Sequence, residues 1–375
     1  MLRECYTFYT LELLFKFLNF NLFRLMKKFF FLILLQLAFL SVNSFGQTKE
    51  QSPLYLTNYT FSDKQPEVGQ VKLRAGNGSQ IKAITLSGPQ AGIFKISKDN
   101  KLTIRKEKLQ PGQNWADVVV SAKTTNGNVS ANFRVVKDAF IRNKVVAHRG
   151  AWKNTGAAEN SVAALNQAVA LGCEGSEFDV RMSADSVLFI NHDPDIQGLS
   201  VAKSTSDQLK SVKLSSGENL PTLEDYLVAG MKQNKTKLVL EIKASELGKE
   251  NSLAATRKIV ALVEKLQASA WVDYISFDYE VCQELMKLAP YAHVAYLNGD
   301  KSPAELAQAK FYGLDYHFSV LQKNPDWIKQ AQQNKLTINV WTVNDKAVME
   351  NLLKENVDFI TTNEPEMLLN LISVK

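Results

Sequence analysis

The sequence predicts an α/β chain: a (β/α)8 TIM barrel over residues 141–375, preceded by an all-β sandwich over residues 50–140. Three observations lead there. The hydrophobic period is two from about Ser52 to Asp138, and then gives way to strand–helix alternation. That alternation runs for about 235 residues, close to the roughly 250 such a barrel needs. The predicted barrel strands end in charged and imidazole side chains, where barrels of this kind carry their chemistry.

At 375 residues the chain exceeds a typical single domain, and two folded units are expected. Ahead of them lies Met26–Gly46, "MKKFFFLILLQLAFLSVNSFG". Two lysines, an apolar block and a zone of small residues follow the order of a secretory signal peptide. Its apolar runs, 29–35 and 37–40, are too short to span a bilayer comfortably. Cleavage is therefore expected, with Met26 as the true start and residues 1–25 as an extension from a misplaced start codon. The mature chain is expected to be exported, periplasmic or secreted, with no stable membrane span. No cysteine lies near the cleavage zone, so no lipid attachment is expected. Residues 1–46 carry five Lys/Arg and two Asp/Glu, so their removal lowers the net charge from +6 to +3. No basic stripe remains, which argues against nucleic acid as a partner. Cys173 and Cys282 sit in separate elements and imply buried thiols rather than a disulfide framework.

In the β unit, "NVSANFRVV" places Val129, Ala131, Phe133 and Val135 on one face. "IFKISKDNKLTIRK" reads as a hairpin, with Phe94 and Ile96 opposite Leu102 and Ile104 across an Asp99–Asn100 turn. "DVVVSA" is a further strand. The run "GIFKISKDNKLTIRKEKL" followed by "ADVVVSAKT" resembles a cadherin-like repeat. The acidic calcium motifs of that family are missing, with "RKEKL" in place of an acidic pair. The resemblance therefore implies shape, and a spacer or a docking surface for an unidentified partner.

In the barrel, "KVVAHRG" is the first strand and "NSVAALNQAVALG" the first helix, capped by Asn160 and ended by Gly172. "LPTLEDYL" opens another helix, with Thr222 and Asp225 spaced as a capping box. "KLVLEIK", "DYISFD", "HVAYLN", "GLDYHFSV", "LTINVWTVN" and "VDFITTN" supply later strands. "EFDVRMSADSVLFINHD" joins two strands through a turn too short for a crossover helix. This makes nine strand-like segments, one of which is expected to lie outside the barrel.

Strand ends collect the candidate chemistry. The first strand ends in His148 and Arg149, the second carries Glu177 and Asp179, "VLFIN" leads to His192 and Asp193, and "LVLEIK" holds Glu241 and Lys243. Glu177 and Asp179 are two apart and share a strand face, as do Glu241 and Lys243. Three carboxylates in one mouth repel one another unless a hard divalent cation, Ca2+ or Mg2+, joins them. Imidazoles suit proton transfer, and Arg149 and Lys243 match phosphate. The combination points to phosphodiester cleavage. Blander roles are open to each part: Lys243 can simply neutralise Glu241, and Trp341 can be packing.

The motifs "AHRG", "AENS", "EFDV", "NHD", "LPTLEDYL", "LEIK", "VWTVND" and "ITTNEP", in this order, resemble those of the glycerophosphodiester phosphodiesterase family over residues from about 144 to 370. The resemblance implies a phospholipase-C-like barrel. It implies His148 and His192 as acid and base, and Glu177, Asp179 and Glu241 as metal ligands. Arg149 and Lys243 then hold phosphate, and Trp341 forms a wall beside the glycerol or the leaving alcohol. Glu159 is expected to orient Arg149, and Gly150 to allow a close turn next to substrate. Ala158 replaces the family's usual proline, and "PDIQGLSVAKST", in a loop expected to border the mouth, lacks the arginine–threonine run often found there. The implied reaction is metal-dependent hydrolysis of a glycerophosphodiester to sn-glycerol 3-phosphate and an alcohol. Its rivals are a lysophospholipid or other lipid-derived substrate, and an exported binding protein that uses the barrel as a scaffold.

Overall fold

The computed structural model describes residues 53–74 and 78–373; the expected leader and the residues before it lie outside the described residues. Eight strands precede the barrel: β1 (Leu54–Leu56), β2 (Thr60–Phe61), β3 (Glu67–Leu73), β4 (Ile81–Ser87), β5 (Phe94–Ile96), β6 (Lys101–Ile104), β7 (Trp115–Thr124) and β8 (Gly127–Lys137). They form two four-stranded sheets, ordered β1-β3-β6-β5 and β2-β8-β7-β4. The β5–β6 hairpin pairs Phe94 with Ile104 and Ile96 with Leu102, and Asn100 takes φ 59° at its turn. In β8, Ala131, Phe133 and Val135 are buried, in keeping with the period of two.

The barrel strands are β9 (Val145–Ala147), β10 (Gly175–Met182), β14 (Lys237–Ile242), β15 (Val272–Ser276), β16 (Val294–Tyr296), β17 (Gly313–His317), β18 (Thr337–Trp341) and β19 (Phe359–Thr362). All eight pair in parallel, and β9 closes the ring by pairing with both β19 and β10. Between β10 and β14 come β11 (Leu188–Ile190), β12 (Asp195–Ile196) and β13 (Leu199–Ser200). β11 is the ninth strand-like segment and lies outside the ring. β9 meets β10 only at Gly175 and Ser176, and β11 returns antiparallel along the edge of β10 that β9 leaves free, pairing Met182 with Leu188 and Val180 with Ile190. The excursion keeps a small core of its own: Phe189, Val201, Leu209, Val212 and Leu220.

Local chemistry sets the helix ends. Thr222 and Asp225 form the capping box of helix Leu223–Gly230. Gly172 ends helix Val162–Leu171 in a left-handed turn, φ 78°. The cap of that helix is a correction: Ser161, not Asn160, accepts from Ala164 N. Asn160 takes φ 57° and turns its amide elsewhere.

The described residues form one compact unit with a continuous core. The β strands meet the loops that enter β14, β15 and β16, at the barrel's N-terminal end. Buried Trp271 lies edge-on to Trp115 at 6.4 Å, and Tyr291 lies against Tyr59 at 4.8 Å. Arg74 pairs with Glu264, and Asn234 Nδ2 donates to the Lys137 carbonyl at 2.8 Å. The first sheets thus adjoin the end of the barrel opposite its C-terminal mouth. Cys173 and Cys282 are buried free thiols, and no helix among the described residues is long and apolar enough to cross a membrane.

Candidate active site

Alternation along each barrel strand yields one inward row. It carries Val146 and then His148 beyond β9, Glu177 and Asp179 on β10, Val239 and Glu241 on β14, and Asp315 and His317 on β17. Asn339 and Trp341 follow on β18. The upper members of these rows converge at the C-terminal mouth. Glu177, Asp179 and Glu241 are buried, with a ligand oxygen of each within 4.8 Å of the others.

Burial, with Asp179 and Glu241 nearby, raises Glu177 well above the ordinary carboxyl value. Burial and the Asp179 charge push Glu241 up to about 8. Burial also opposes ionisation of Asp179, yet Lys243, His192, Asn160 and Arg149 together hold it below the usual range. Lys243 and Arg149 offset part of the charge, yet the raised Glu177 and Glu241 carboxyls mean that ionising all three calls for a further cation. The donors fit a hard divalent ion: all are carboxylate oxygens, and Glu177 Oε1 is buried with no hydrogen-bond partner. Among the described residues this is the single cluster of three or more acidic, His or Cys donors.

Around the triad sit both histidines. His148 Nδ1 meets Asn363 Oδ1 at 2.8 Å, which leaves Nε2 facing Glu177 Oε2 at 4.0 Å. Burial pushes this imidazole down to about 4, against the pull of its bond to Asn363. His192 arrives on the β11 return: Asn191 N donates to the Asp179 carbonyl, and Arg181 Nε to the His192 carbonyl. Its Nδ1 meets Asp193 Oδ1 at 2.7 Å, so a carboxylate orients this ring as an amide orients the other.

Arg149 sits at φ 56°, with its backbone N–H donating to Glu177 Oε2. Its guanidinium makes a two-bond pair with Glu159, at 3.0 and 3.1 Å, as expected of an orienting carboxylate. Arg149 Nε is buried and unpartnered, 3.7 Å from Asp179. Lys243 Nζ lies 2.7 Å from Glu241 and 3.3 Å from Asp179, and 5.8 Å above the Phe277 ring. It thus fills the neutralising role that its spacing from Glu241 left open. Trp341 is held by its Nε1, which donates to the Asp315 carbonyl, and lies edge-on to Phe277 and His317.

Gly150 needs a correction. A Cβ there would come within 2.6 Å of the Ala164 Cβ, at φ 80°, so its turn makes room for helix 162–171 rather than for substrate. Sequence reasoning also missed two residues. Asn160 Nδ2 donates to Asp179 Oδ2 at 2.8 Å while Asp179 N donates back to Asn160 Oδ1, and Asn363 braces His148. Both fall in motifs that the sequence displays, "AENS" and "ITTNEP".

A parallel barrel whose mouth joins a divalent-cation site to a guanidinium, an ammonium and two braced imidazoles defines a metal-dependent phosphoester hydrolase. The chain belongs to the glycerophosphoryl diester phosphodiesterase family, whose profile matches residues 148–367. It is 28% identical over 249 residues to a glycerophosphodiester phosphodiesterase of Caldanaerobacter subterraneus subsp. tengcongensis, covering 62% of this chain and 98% of that one. A crystal structure of a glycerophosphodiester phosphodiesterase from Parabacteroides distasonis superposes with a TM-score of 0.61 at 44% identity, over 63% of this chain and 98% of that one. Another, from Agrobacterium tumefaciens, does so with a TM-score of 0.52 at 26% identity, over 61% and 99%.

Proposed function

We propose that the protein hydrolyses glycerophosphodiesters to sn-glycerol 3-phosphate and an alcohol. The observation that carries this reading is the unpartnered Glu177 Oε1 in a buried acidic triad, with His148 and the orphaned Arg149 Nε beside it. Glu177, Asp179 and Glu241 would hold Ca2+ or Mg2+, and such a cation supplies Lewis acidity at a phosphoryl oxygen. Arg149 and Lys243 bring fixed positive charge to the phosphate oxygens. One histidine takes the proton of the nucleophile, either water or the glycerol 2-hydroxyl, as its oxygen bonds to phosphorus; in the second case a cyclic glycerol phosphate forms, and a water then opens it to glycerol 3-phosphate. The other gives a proton to the alkoxide whose P–O bond breaks. Asn363 and Asp193 keep each Nδ1 occupied, so each ring works through Nε2. Trp341 walls the alcohol side.

A second reading rests on Phe277, 39% exposed and edge-on to Trp341 at the mouth. That apolar rim supports a lysophospholipid or another lipid-derived diester as substrate. The leader-like order of Met26–Gly46 supports export to the periplasm or beyond. The two four-stranded sheets of residues 53–137 support a cadherin-like sandwich.

The test is release of glycerol 3-phosphate from glycerophosphocholine and glycerophosphoethanolamine, with calcium, with magnesium and with EDTA. Release should require a metal and fall about 10²–10⁴-fold in His148→Ala and His192→Ala. Near-full rates in both variants would overturn the histidine roles. No release from folded protein, but turnover of micellar lysophospholipid, would favour the second reading, and neither would leave a binding protein.

A further inference from the structure

A cavity of about 420 Å3 lies at the barrel's N-terminal end, between the strand beginnings and the 57–60 segment ahead of β2. It is open to solvent, since exposed Asn58, His293 and Tyr312 line it, and it reaches Val146, Val239 and Asp315 inside the barrel. Its volume suits a small organic ligand.

The charges along its wall are paired, with one exception. Lys237 meets Asp273 at 3.2 Å, His293 meets the same carboxylate at 3.1 Å, and Arg142 pairs with Asp138. Glu174 accepts from the Lys144 backbone N–H. Asp315 is the exception. It is 1% exposed; Oδ2 accepts from Asn339 Nδ2 at 3.0 Å, and Oδ1 has no partner. A buried carboxyl oxygen without a partner is costly in either protonation state, because a protonated Oδ1 would lack an acceptor in turn.

We propose that this cavity is a second ligand site, for a small alkylammonium ion that donates to Asp315 Oδ1 and lays its hydrocarbon against Val146, Val239 and Ile275. The surroundings favour an organic cation over a metal. Asp315 brings a single carboxylate with no second acidic, His or Cys donor grouped with it, whereas hard metal ions need several oxygens. An alkylammonium places one charge on one carboxylate and buries its chain. The site goes beyond the hydrolytic reading and meets it only through the Asp315 backbone carbonyl, which holds Trp341.

The test is calorimetric titration of the full processed protein with n-butylammonium, under saturating magnesium so that the acidic triad is occupied, with n-butanol as the uncharged comparator. Wild-type protein should bind n-butylammonium, and Asp315→Asn should weaken that binding about tenfold or more while n-butanol is unaffected. No binding to wild type, or equal binding to a folded Asp315→Asn, would overturn the proposal. A crystal soak covers the case in which the variant does not fold. Density within hydrogen-bonding distance of Asp315 Oδ1 supports the site, and density elsewhere only overturns it.

Discussion

Asn160 bears on the charge of a carboxylate it never exchanges a proton with. Its amide donates to Asp179 and its oxygen accepts from the Asp179 backbone, so the carboxylate is fixed in place and favoured in its ionised form. Asn160→Ala should weaken Mg2+ or Ca2+ binding about 10–100-fold, read by titration calorimetry, with activity recovering at high metal. Glu241 gives a pH signature. Its carboxyl is raised to about 8 in the folded chain against an ordinary 4.5, so the unfolded chain releases that proton first. The metal-free protein therefore loses stability as pH rises from about 4.5 toward 8. A cation replaces the proton, so the gain in Tm on adding Mg2+ should be larger at pH 8 than at pH 5. The acidic residues were legible because a spacing of two on a strand fixes a common face. Asn160 was not, because an asparagine before a helix serves equally well as a cap or as a left-handed turn.

Among the elements, the turn from β9 into helix 162–171 is the tightest constraint near the site. Gly150→Ala would push a methyl group into the Ala164 backbone, with a contact of 2.7 Å to its carbonyl carbon. The expected loss is roughly 1–3 kcal/mol in thermal or urea unfolding, from crowding added to the strained φ. The same turn shows how a glycine deceives a sequence reading: need for space is evident, but not what occupies it. Strand registers fared better. Alternating Phe94, Ile96, Leu102 and Ile104 around Asp99–Asn100 leave one register that sets all four on the same face. The placement of His192 was half legible. A turn so short rules out a crossover helix, but only the edge of β10 that β9 leaves unpaired explains how a strand outside the ring returns to its mouth.

Over the whole molecule, the union of the first sheets with the barrel had no sequence signal. Trp115 and Trp271 are far apart in the chain, and each reads as an ordinary core residue. Because they share a continuous core, residues 53–140 and the barrel should unfold in one calorimetric transition, and the barrel expressed from residue 141 should melt at lower temperature. The excursion from β10 has a different standing. Phe189, Val201, Leu209, Val212 and Leu220 form a patch apart from the main core beside the return that leads to His192, which Leu188 and Ile190 also tie to the main core, while His148 and the triad belong to the ring itself. The two histidines proposed to carry protons are therefore held by different sets of contacts. If that patch loosens first, activity should fall on heating before the ring unfolds, which parallel assays of turnover and of global melting would show.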